Sequence, residues 1–179
     1  MIPCPPEFRL DSASVNPFNL SSDSHQISTN WNISIFLRNS FAEWTSISYE
    51  ALQVMVLYEE RIISAGSIMV GDLQGTEKKK RKAMVVQGSL GATSMHVDDW
   101  LRKAILKERS AYGVVDFTVT VEATVRIRLG LGLLGHTGRV WVPCYHVKME
   151  LPSNSTLGTM VGGPRKCQAL VDFKSLGPF

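Results

Sequence analysis

Over residues 115–129 apolar and polar side chains alternate almost without error. Val115, Phe117, Val119, Val121, Ala123, Val125, Ile127 and Leu129 hold one phase, and Asp116, Thr118, Thr120, Glu122, Thr124, Arg126 and Arg128 hold the other. Successive side chains on a strand point to opposite faces, so the stretch predicts a long strand of an antiparallel sheet packed on one side only. Residues 8–18 read as a shorter strand ending at Asn16-Pro17. Within residues 27–39, Trp31, Ile33, Ile35 and Leu37 face one way and Asn32, Ser34 and Arg38 the other, with Phe36 out of phase. In residues 45–58, Ile47 and Tyr49 keep one phase, then Leu52, Val54, Val56 and Tyr58 keep the opposite one. That slip near Ala51 predicts a bulge, because one extra residue flips every later side chain.

Glu59-Glu60 is a polar turn into a mixed apolar run over residues 61–70, and residues 83–90 form a further strand candidate. Over residues 98–109 the rhythm changes. Trp100, Leu101, Ala104 and Ile105 recur at helical spacing, Asp98 or Asp99 is placed to cap the start, and Gly113 follows the end. After the long strand come a glycine-rich turn over residues 130–138, a strand over 139–151, and a last strand over 167–173. About seven strands with one short helix predict an all-β fold, an immunoglobulin- or fibronectin-III-like antiparallel β-sandwich. Residues 8–175 form its single domain, between a proline-rich tail (1–7) and a short end (176–179).

A length of 179 residues leaves room for one real core. The net charge of +3 is too mild to mark a nucleic-acid binder. There is no run of eighteen apolar residues, and the start Met1-Ile2-Pro3-Cys4 is not a signal peptide, so on its face the chain is soluble and untargeted. Its three cysteines are Cys4, Cys144 and Cys167. They read either as reduced thiols, two of them small core residues, or as a Cys144–Cys167 bridge closing a loop of roughly 20 residues. Glycosylation sequons begin at Asn19, Asn32 and Asn154, and they matter only if the chain enters the secretory pathway.

The sharpest charge cluster is Lys78-Lys79-Lys80-Arg81-Lys82. It suits an anionic lipid surface, against the plainer reading of a solvated loop that discourages edge pairing. Without interleaved aromatic residues it does not suit nucleic acid. His25, His96, His136 and His146 have no metal-ligand spacing. Cys144 and His146 share a strand phase, but nothing else marks a nucleophile and its base. Gly130, Gly132, Gly135 and Gly138 lack the lysine of a phosphate loop and read as a hairpin turn. Trp31, Trp44, Trp100 and Trp141 read as core or interface residues. No catalytic, cofactor or metal site is expected.

The segments Val15-Asn16-Pro17-Phe18-Asn19-Leu20, Asn30-Trp31-Asn32-Ile33-Ser34-Ile35-Phe36-Leu37-Arg38-Asn39 and Ile47-Ser48-Tyr49-Glu50 resemble the plant group-two late embryogenesis abundant domain, in its harpin-induced-like and non-race-specific-resistance-like branch. Tyr58 with Arg61, Ile62, Ile63 and Ala65, the Leu101 helix, Gly113, the long strand to Gly130, and Cys144 with Cys167 follow in the order of that family. Asn39-Ser40-Phe41 departs from the family's Asn-Pro-Asn. The resemblance implies a Cys144–Cys167 disulfide. It also implies a non-enzymatic stress- or defence-response domain at the outer face of the plasma membrane. Relatives in that branch carry a basic tail and a membrane-spanning helix before the domain; this chain shows neither, which makes a cytoplasmic home the alternative. The function expected is an interaction module with a protein or cell-wall partner. The alternative is a lipid- or small-ligand-associating stress protector that uses the basic loop and an apolar cleft between sheets.

Overall fold

The computed structural model describes residues 6–23, 25–38, 45–70, 83–129 and 134–174. The chain runs β1 (Glu7–Leu20), β2 (Gln26–Arg38), β3 (Thr45–Tyr58), β4 (Arg61–Ile68), β5 (Ala83–His96), α1 (Asp99–Tyr112), β6 (Val114–Leu129), β7 (Leu134–Glu150), β8 (Gly158–Met160), β9 (Arg165–Cys167) and β10 (Leu170–Lys174). It is all-β and antiparallel with one helix. Seven long strands match the expectation, and three short ones near the end of the chain add to it. The last expected strand is two, β9 and β10, on different partners, and β8 was not expected. β1 passes through Pro17 instead of ending there, across a cis Asn16-Pro17 peptide. β5 runs on past residue 90 to His96.

The strand order is β4-β3-β6-β7-β8-β1-β2-β5. Two half-sheets, β4-β3-β6-β7 and β1-β2-β5, face each other across one core. Trp31 of β2 meets Phe117 of β6 edge to face with ring centroids 5.3 Å apart, and Phe8 of β1 meets Tyr49 of β3 at 6.1 Å. Each apolar residue of β6 from Val115 to Ile127 is buried, as the alternation requires. The phase slip in β3 is a real bulge. Its register against β6 shifts between Tyr49 and Leu52, which leaves both phases of β3 facing the core. Glu59 and Glu60, at φ 44° and 67°, form the two-residue turn of the β3–β4 hairpin.

The half-sheets are joined along two seams of different kinds. At the first, β8 pairs with both β7 and β1, so Thr159 sits opposite Glu150 on one side and Ser14 on the other. Further along, β9 pairs with β1 at Phe8–Cys167, and β10 pairs with β7 at Leu170–Trp141. The Cys144–Cys167 disulfide ties β7 to β9 and so to β1. At the second seam β4 and β5 pack without a strand ladder. Two glycines allow the approach. A Cβ on Gly88 would lie 2.4 Å from Ile68 Cγ1, and one on Gly66 would lie 2.8 Å from Leu90 Cδ2.

Helix α1 crosses between β5 and β6. Asp98 takes the N-cap position but makes no side-chain cap bond, against the expectation; its carbonyl accepts the first bond of the helix from the Arg102 N–H. Gly113 ends the helix in the left-handed region at φ 65°, its N–H donating to the Arg109 carbonyl. The helix is 14 residues long, and no helix among the described residues is long and apolar enough to cross a membrane.

Both seams are testable by mutation. Cys167→Ser opens a loop closed over a sequence separation of 23, and should lower stability by about 3 kcal/mol in urea titrations of oxidised protein. Gly88→Ala should cost roughly 1–3 kcal/mol by overpacking against Ile68. Gly91→Ala, on the same strand with nothing within 4 Å of the new carbon, should be close to neutral.

Candidate functional site

The outward face of β3, β6, β7 and β10 carries the best-formed cluster of exposed aromatic and charged groups. Strand register sets Gln53, Glu122, Trp141 and Leu170 in one row across four strands. Thr124, Arg139 and Asp172 form the next row. The β3 bulge lifts Glu50 and Ala51 over this surface and leaves an open depression of about 300 Å³. Glu50, Gln53, Glu122, Thr124, Arg139 and Trp141 line it. Trp141 is 39% exposed and Leu170 48%. Glu50 pairs with Arg126 at 2.8 Å, an exposed contact of modest energy. Glu122 and Arg139 have no ion pair among the described residues. This arrangement offers an aromatic surface, an anion, a cation and an amide within one shallow basin.

A second polar cluster joins α1 to the sheet. The Tyr58 hydroxyl donates to Glu108 Oε2 at 2.8 Å, and Glu108 Oε1 accepts from the Asp116 N–H at 3.0 Å. Burial, followed by the Glu108 hydrogen bond, pushes the Tyr58 phenol well above its ordinary pKa. His146 Nδ1 lies 2.9 Å from Asp116 Oδ2 at a bulge of β7, with φ 57°. Cys144, which was read as sharing a strand phase with His146, is bonded to Cys167 and has no thiol to offer.

Arg109 was not foreseen as a structural residue. It is 9% exposed, and its guanidinium donates to the carbonyls of Leu151, Pro152 and Ser155. It thereby fixes the loop that carries Asn154. The helical period did hold the signal. Arg102 and Arg109 fall on the same face as Leu101 and Ile105, and a cation there needs a partner.

The sequon asparagines are all exposed, but they occupy different settings. Asn19 and Asn154 line one depression above Arg109. Asn32 lies in the middle of β2, where its side-chain oxygen accepts from Ser89 Oγ at 2.6 Å. His25 and His96 face each other with ring centroids 6.2 Å apart at an exposed strand end. Trp31 is fully buried and Trp100 is 45% exposed. The basic cluster Lys78, Lys79, Lys80, Arg81, Lys82, together with Cys4, Trp44 and the Asn39-Ser40-Phe41 turn, lies outside the described residues. So do residues 130–133 of the glycine-rich turn.

In comparisons with known proteins, no family model, no curated protein and no solved structure matches the chain.

Asp99 on the first turn of α1 contacts Lys103 and Arg102, which hold its carboxyl down to about 2. A carboxylate with a depressed folded-state pKa stabilises the fold above its unfolded value and loses that contribution as pH falls. Urea midpoints should therefore fall as pH drops from 3.8 towards about 2, and Asp99→Asn should flatten that part of the profile.

Proposed function

We propose that this chain is a non-enzymatic interaction module of the plant stress and defence class, presented at the outer face of the plasma membrane. The observation that carries the reading is Trp141, exposed in a basin ringed by Glu122, Arg139, Glu50 and Gln53. Tryptophan and arginine are the side chains that most often anchor a protein interface, and a ring of polar groups keeps water from such an anchor. The basin stands on four paired strands, so it is rigid before any partner arrives, and less entropy is lost on docking. Two features support an oxidising compartment: the Cys144–Cys167 disulfide, and exposed asparagines at Asn19, Asn32 and Asn154. The immunoglobulin- or fibronectin-like assignment belongs to the same proposal, and the two facing half-sheets support it. The lipid-protector alternative drew on Lys78–Lys82 and gains no support from the described residues.

The test is cross-linking of oxidised protein to plant plasma-membrane and apoplast fractions, with three baits: the natural sequence, Trp141→Ala and Trp100→Ala. The natural sequence and Trp100→Ala should recover the same partner. Trp141→Ala should lose it, with affinity down by roughly 2 kcal/mol or more. Equal recovery by all three baits would remove Trp141 as the anchor.

A further inference from the structure

The outer face of the other half-sheet is chemically unlike the Trp141 basin. Strand register places Ser14, Asn32 and Ser89 in one row across β1, β2 and β5, and Ser12, Ser34 and Gln87 in the next. Every side chain in the two rows is neutral and hydrogen-bonding. The nearest charges, Arg9 and Asp11, pair with each other at 2.6 Å, and Arg9 also lies over the Phe36 ring. The rows line a groove of about 400 Å³. Ser34 is 7% exposed and lines that groove, and its hydroxyl has no hydrogen-bond partner among the described residues. The residue is nearly enclosed, but its oxygen still reaches the groove, where water or a ligand atom completes the bond.

We propose that this groove is a second binding surface, and that its occupant is an uncharged glycan chain. The chemistry of the rows selects that class. A nucleic acid or an anionic lipid headgroup is held by cations, and the rows have none. A protein partner needs a central aromatic or aliphatic anchor, and the rows have none of these either. A sugar hydroxyl both donates and accepts, and so do serine, asparagine and glutamine. Strands about 4.8 Å apart, with outward residues about 6.7 Å apart along each strand, set these groups on a fixed grid. The bond from Ser89 to Asn32 holds part of that grid in place before binding.

The experiment is affinity gel electrophoresis of oxidised, unglycosylated protein through gels containing a neutral mixed-linkage β-glucan, with polygalacturonate gels as the charged control. The glucan should retard the protein, added salt should leave the retardation unchanged, and polygalacturonate should have no comparable effect. Ser34→Ala and the rim pair Ser12→Glu/Ser89→Glu should each weaken retardation about tenfold, while Trp141→Ala should leave it intact. The last result separates this surface from the Trp141 basin. Unfolding midpoints of the variants confirm that the fold is kept. No retardation by the glucan would overturn the proposal, and so would equal retardation by polygalacturonate or unchanged binding in both groove variants. Protein secreted from plant cells supplies the remaining arm. If Asn32 bears a glycan there and the glucan no longer binds, the groove's occupant is the protein's own modification and the proposal fails.

Discussion

A sheet that curls until its two halves face each other must close along two lines, and this chain closes them by different means. Between β7 and β1 there are hydrogen bonds to spare, and the last third of the domain uses them. β8 pairs with both strands, β9 extends β1, β10 extends β7, and a disulfide joins β7 to β9. Between β4 and β5 there is no ladder, only apolar packing made close by Gly66 and Gly88. The first closure holds the aromatic core together, because Trp31, Phe8 and Phe18 come from one half-sheet and Phe117 and Tyr49 from the other. Apart from residues 158–174, the halves are linked by that core, by the β4–β5 packing, by the Phe18 N–H bond to the Thr156 carbonyl and by the chain connections.

Once closed, the scaffold gives the chain two outer faces that it can write independently. Inward positions are fixed by the core, and outward ones alternate with them. Over β3, β6, β7 and β10 the outward rows hold Trp141, Leu170, Glu122 and Arg139. Over β1, β2 and β5 they hold serine, asparagine and glutamine. Neither arrangement needs loop motion to form. Each presents contacts that are already ordered before any ligand arrives.

Much of the scaffold was legible because its signals are periodic. The long β6 strand, the inward face of β2, the bulge at Ala51 and the helix stop at Gly113 follow from apolar spacing and one glycine. Of the short strands, β10 was legible within the expected strand over 167–173, and β8 and the separate β9 were not. Three residues cannot show a period, and β8 and β9 are strands because their neighbours offer unpaired backbone groups. The Trp141 basin and the neutral groove were hidden for a related reason. Gln53, Glu122, Trp141 and Leu170 are far apart in sequence and meet only through the register of four strands. Ser34 looked like an ordinary outward residue of β2 until the flanking strands buried it.

The closure of the β1–β7 seam is tested most directly by native-state hydrogen exchange of residues 158–174, with the Cys144–Cys167 bond intact and then reduced. In the oxidised protein, the amides of β8–β10 that bond to β1 and β7 should exchange almost as slowly as those of β6. Reduction should release β9 and the facing end of β1 first, while the β3–β6–β7 ladder stays protected. Fast exchange throughout 158–174 in the oxidised protein would mean that this segment does not hold the halves together, and the account would fail.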